Sequence, residues 1–141
     1  MKSEANTAVR ILPGAAGIRE AYAESLTAEK LDIVCLSENY VSVIGDYFDK
    51  VYAPQLYGKV NTREILPDTP GNRSDARKKD PAVNQVRFIK PEKSESDYLL
   101  FGDTAILVSY NPDQPFALVI NDPNLVANLR SQFAALWNGL N

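Results

Sequence analysis

The sequence predicts an α/β domain, on three observations. Short β-branched runs alternate with amphipathic stretches through the first half, three apolar runs crowd together after residue 97, and an amphipathic helix closes the chain. A chain of 141 residues suits one domain over positions 1–141 with one core.

Each element has its own signature. "TAVRILP" is a strand running into the Pro13-Gly14 turn. In "GIREAYAESL", Ile18, Ala21, Tyr22 and Leu26 form one helical stripe beginning near Gly17. "DIVCLSE" is an apolar run short enough for a doubly buried strand. After the turn "SENY", the positions Ile44, Tyr47, Phe48, Val51, Tyr52 and Leu56 repeat at helical spacing and predict a second helix of about three turns before Gly58. "TREILP" is a third strand, and this order implies right-handed parallel crossovers.

Residues 68–80, "DTPGNRSDARKKD", have no apolar period and read as a loop holding at most one helical turn. "NQVRFIK" alternates as a half-exposed strand. "YLLFG", "TAILVSY" and "FALVIND" are spaced for antiparallel hairpins. Asp122-Pro123 is an N-cap followed by Pro at the first helical position, and the last helix presents Val126, Leu129, Phe133, Leu136, Trp137 and Leu140 on one face.

Composition narrows the function. A net charge of −3 disfavours broad phosphate neutralisation, so DNA binding by this piece alone is not expected. The chain contains no histidine, which removes the usual general base, the commonest metal ligand and the Ser-His and Cys-His pairs together. The single Cys35 has no disulfide partner within the chain and reads as a small buried hydrophobe. No run approaches about 18 apolar residues and the N-terminus lacks a signal-peptide core, so no membrane association and a cytoplasmic location are expected. No metal-ligand spacing or cofactor fingerprint is present: "PGAAG" lacks GxGxxG and Gly-Lys-Ser/Thr and reads as a strand-to-helix turn.

Three further features each carry two readings. Asp68-Thr69 ends a strand of the parallel part, where α/β sheets bind ligands, or is a turn before Pro70. Arg73, Arg77, Lys78 and Lys79 alternate with acids as a solvated loop, or supply a clamp through Arg73 or Arg77 for an acidic ligand. Tyr22, Tyr47, Phe48 and Tyr52 fall at core spacing and are assigned to packing.

The ordered set "VRILPGAAGIREAYAESL", "ILPDTP", "DYLLFGDTAILVSY" and "FAALWNGL" resembles the C-terminal phospholipase-D-like domain of TrmB-like transcriptional regulators over most of the chain. That resemblance implies a three-layer sandwich: a mixed, mostly parallel sheet with an antiparallel C-terminal part and helices on both faces. Active phospholipase-D-like enzymes carry HxKxxxxD, with histidine as nucleophile and lysine holding the phosphoryl oxygens. With the acid placed at Asp103, the histidine position falls on Ser96 and the lysine position on Tyr98, and Ser109-Tyr110-Asn111 resembles the following Ser-x-Asn.

The resemblance therefore implies a non-catalytic ligand-sensing domain, dimeric, reaching DNA only through a separate winged helix-turn-helix for which the stretch before Val9 has no room. It expects a small-molecule ligand, a sugar or an anionic metabolite, and no cofactor. The alternative is a phosphodiesterase- or glycosidase-type hydrolase with altered residues. Candidate ligand-binding residues are Asp68, Thr69, Arg73, Tyr98, Asp103 and Asn111, and Ser96, Tyr98 and Asp103 are expected to share one cavity.

Overall fold

The computed structural model describes residues 8–140. Seven strands form one sheet in the order β1-β7-β6-β5-β2-β3-β4. They are β1 (Val9–Pro13), β2 (Lys30–Cys35), β3 (Asn61–Pro67), β4 (Asn84–Ile89), β5 (Ser96–Phe101), β6 (Thr104–Ser109) and β7 (Phe116–Asn121).

The mixed sheet agrees with the sequence reading, but its pairing is mostly antiparallel. Only β2·β3 and β3·β4 pair in parallel, while β1·β7, β7·β6, β6·β5 and β5·β2 are antiparallel. β1 to β4 and β6 nonetheless share one direction, and the antiparallel neighbours arise because β5 and β7 insert between them. The helix α1 (Gly14–Ser25) thus carries the chain from the β1 edge across three strands to β2.

Two apolar layers cover the sheet. On one face, Ile18, Ala21 and Tyr22 of α1 pack with Ile33, Leu99, Ile106 and Val119. On the other, Val126, Phe133 and Trp137 of α5 (Pro123–Asn138) pack with Val34, Ile65, Leu100 and Ala105. Strand alternation decides the split, since successive residues of β5 point to opposite layers.

α1 begins at Gly14 rather than near Gly17. Gly17 instead lets the helix touch β1, because a Cβ there would stand 2.3 Å from the carbonyl carbon and oxygen of Leu12. Asp122 caps α5 as expected, its Oδ2 accepting from the Leu125 N–H at 2.8 Å. The other end of α5 is closed by Arg87 of β4, which donates to the carbonyls of Trp137 at 2.5 Å and Leu140 at 3.0 Å.

The predicted second helix is broken into α2 (Val41–Ile44), a π-helical turn (Phe48–Tyr52) and α3 (Ala53–Leu56). Pro54 explains the break after Tyr52: it has no N–H to give, and its ring would clash with the carbonyl four residues back. The ladder widens there, and Ala53 N–H reaches the Phe48 carbonyl five residues away. The segment read as a loop contains a real helix, α4 (Pro70–Ala76), whose N-cap is Thr69.

Candidate functional site

The carboxyl ends of β2 and β3 open into a cleft of about 100 Å³ roofed by the π-helical turn, α3 and α4. Open α/β sheets bind ligands at this end of their strands. The volume is several times what one water molecule requires.

Aromatic rings form the walls. Phe48 lies edge-on to Tyr22 at 4.8 Å and to Tyr40 at 4.8 Å, and Tyr52 lies edge-on to Tyr22 at 5.1 Å. The π-helical turn places Phe48, Asp49 and Tyr52 together around the opening.

A buried ion pair makes the floor. Lys79 Nζ stands 2.6 Å from Glu64 Oε1, with side-chain exposures of 4% and 5%. Thr62 donates to Glu64 Oε2 at 2.5 Å, and the Lys79 ammonium lies 4.9 Å from the Tyr57 ring centroid. The sequence placed Lys79 in a solvated basic loop; the structure corrects this, because the Asp75–Lys78 turn after α4 folds Lys79 inward onto β3.

Behind the Tyr22 wall, Asp97 of β5 is buried, with no ion-pair partner among the described residues. It accepts from Tyr22 Oη at 2.5 Å, from Ser37 Oγ at 2.7 Å and from Ser37 N–H at 3.2 Å. Burial raises its pKa, and the hydrogen bonds from Tyr22 and Ser37 oppose that rise without cancelling it. Burial, then the Asp97 charge, pushes the Tyr22 hydroxyl well up. Cys35, read from sequence as a small buried hydrophobe, is partly buried in the cleft lining, and its thiol is pushed up by burial, Asp97 and Glu64. At the mouth, the hydroxyls of Tyr40 and Tyr57 are also raised, chiefly by burial and then by neighbouring carboxylates that include Asp49 and Asp75.

The six residues singled out from sequence do not share this cleft. Asp68 and Thr69 do lie at the carboxyl end of β3, beside it. Thr69 Oγ1 accepts from Asn72 N–H at 3.1 Å as the α4 cap. Arg73 forms two bonds to Asp68, at 2.7 Å and 3.0 Å, and lies over the Phe88 ring at 4.2 Å. The bond from Arg73 holds the exposed Asp68 carboxyl below its ordinary range, so both groups are already engaged with one another. Asn111 is exposed after β6, about 14 Å from β3 at ordinary strand spacing, its Oδ1 accepting from Asp113 N–H.

The expected common cavity for Ser96, Tyr98 and Asp103 is not formed. Ser96 is exposed at the top of β5 opposite Ser109, and Tyr98 packs on the α5 layer. Asp103 sits at the opposite end of the sheet, in the β5–β6 turn where Gly102 adopts φ +54°, lining an open groove with Lys30, Arg63 and Arg130. The cause is phase: Asp97 and Leu99, not Ser96 and Tyr98, point into the layer that carries the cleft. Sequence reasoning missed Asp97, Glu64 and Lys79, although each of the two acids interrupts the apolar phase of its strand.

An α/β fold with a mixed seven-stranded sheet between helical layers is the class that this architecture defines. Among solved structures it is similar to TrmBL2, an archaeal chromatin protein with a novel mode of DNA binding, at 13% identity and a TM-score of 0.62, over 97% of this chain and 54% of that one. It is also similar to Nuc, a phospholipase D family member from Salmonella typhimurium, at 13% identity and a TM-score of 0.61, covering 94% of this chain and 95% of that one. NucT from Helicobacter pylori matches at 12% identity and a TM-score of 0.60, covering 94% and 96%. The fold is therefore phospholipase-D-like, and the chain spans about half the length of TrmBL2. No family model and no curated protein matches the sequence. Among the described residues, no helix is long and apolar enough to cross a membrane, and no cluster of three or more acidic or cysteine side chains is placed to hold a metal ion.

Proposed function

We propose that this chain is a non-catalytic ligand-sensing and dimerisation domain of a TrmB-like transcriptional regulator. It works in the cytoplasm and reaches DNA only through a separate winged helix-turn-helix domain. One observation carries the reading: a phospholipase-D-like fold is built here from a sequence with no histidine, so the nucleophile of that family's phosphoryl transfer is missing. The aromatic cleft at the strand ends supports a binding role, since it offers enclosed space and fixed polar groups. The likeness to TrmBL2 supports the regulator assignment.

A phosphodiesterase assay tests the non-catalytic reading. The purified chain should not hydrolyse bis(p-nitrophenyl) phosphate above the uncatalysed rate, with or without divalent ions. Turnover that survives purification and disappears in Asp103→Ala or Lys79→Met would replace it with the hydrolase alternative. Sedimentation equilibrium tests the dimer, and a monomer at tens of micromolar would remove that part.

A further inference from the structure

We infer that the cleft takes a small organic cation of the methylated or quaternary ammonium class. The inference rests on the ligand-sensing reading and names its ligand chemistry.

Charge comes first. The lining holds three carboxylates, Asp49, Glu64 and Asp75, against one ammonium, Lys79. Lys79 is consumed by Glu64 on the floor, which leaves Asp49 and Asp75 at the mouth. Asp49 has no ion-pair partner among the described residues. Asp75 meets only Lys78 at 3.4 Å, with both side chains open to solvent and so screened. Among the described residues no arginine lines the cleft, and Arg73 is turned away onto Asp68 and Phe88, so a phosphate or carboxylate would enter against a net negative field.

The walls favour a cation over a neutral polyol. A polyol needs hydrogen-bonding groups that are free to point at its hydroxyls. Here Tyr22 and Ser37 are spent on Asp97, Tyr52 on Ser25 at 2.6 Å, and the Asn72 amide on the Pro67 carbonyl at 2.9 Å. What remains toward the opening is aromatic surface, the Tyr40 and Tyr57 hydroxyls and two carboxylates, and of these the ring faces and carboxylates attract a diffuse positive charge without directed bonds. The cleft already holds one such contact internally, since the Lys79 ammonium stands over the Tyr57 ring. Its volume suits a head group of a few heavy atoms.

The test is thermal-shift titration of the whole chain with tetramethylammonium chloride, referenced to sodium chloride at equal ionic strength. The expected result is a saturable rise in Tm. Neopentyl alcohol, a neutral compound of similar bulk with a quaternary carbon in place of the nitrogen, should give none. The double variant Asp49→Asn/Asp75→Asn, at two solvent-accessible positions, should keep its fold and weaken tetramethylammonium binding by about tenfold, measured by calorimetry. No saturable shift with the cation, an equal response to neopentyl alcohol, or unchanged affinity in the double variant would each overturn the inference. Glucose is the separating arm: saturable stabilisation by glucose with none by the cation would remove the ligand class and leave ligand sensing standing.

Discussion

Replacing Lys79 by methionine should be among the most damaging single changes in this chain, and the reason is the partner it leaves behind. The Glu64 side chain is 5% exposed, its Oε1 is 2.6 Å from Lys79 Nζ, and among the described residues that ammonium is the only cation lining the cleft beside it. Breaking a buried pair on one side typically costs about 3–5 kcal/mol, because the remaining charge is stranded in a poor solvent. The methionine keeps the aliphatic stem, so the loss reports charge rather than volume. With a urea m-value of about 2 kcal/mol/M for a domain of this size, the midpoint should fall by about 2 M at unchanged slope, followed by the fluorescence of the buried Trp137. Glu64→Gln keeps an oxygen for the Thr62 hydroxyl, so the double variant Glu64→Gln/Lys79→Met should recover at least about 2 kcal/mol of the single-variant loss. A cost under about 1 kcal/mol for Lys79→Met, with no recovery in the double variant, would show that water reaches the pair and would remove the floor of the cleft.

Two pH effects follow from the buried groups. Asp97 has a folded pKa raised above its ordinary value, so its protonated form favours folding and its contribution shrinks as pH rises from about 4 through the folded value. Asp97→Asn should therefore gain Tm relative to the parent as pH increases from about 4 to 7, and a constant difference across that range would refute the burial argument. The tyrosines act at the other limb: Tyr22, Tyr52 and Tyr110 stay protonated when folded, while in the unfolded chain they ionise near pH 10. Together they should withdraw about 4 kcal/mol of stability by pH 11, seen as a steep drop in Tm coincident with the appearance of tyrosinate absorbance. Tyrosinate absorbance that rises before unfolding would show that these hydroxyls are open to solvent.

Much of the fold was legible because its signals are local. The Asp122-Pro123 cap, the Gly102-Asp103 turn and the stripe from Val126 to Trp137 are each fixed within a few residues. The strand order was less so. Nothing local to β5 or β7 says that they insert between β1 and β2, since that choice depends on which surfaces α1 and α5 must cover. The broken second helix follows the same logic in reverse: the apolar spacing from Ile44 to Leu56 is helical throughout, yet Pro54 forces the ladder to widen and so delivers Phe48, Asp49 and Tyr52 to one opening.

The cleft was hidden by alternation. Matching Ser96 and Tyr98 to a catalytic pattern selects the face of β5 that packs on α5 or ends in solvent, while Asp97 faces the cleft layer one residue out of phase. The better clue was the misfit of polar residues within apolar phases: Asp97 in line with Leu99, Glu64 in line with Thr62 and Leu66. Such residues are retained only where partners satisfy them, and here each partner lies far away in the chain, Tyr22 and Ser37 for Asp97 and Lys79 for Glu64. The same satisfaction limits what the cleft can do. Groups already committed to one another hold a shape and a field, and what they leave free in the cleft are ring faces, the Tyr40 and Tyr57 hydroxyls and the Asp49 and Asp75 carboxylates, on which the proposed ligand-sensing role rests.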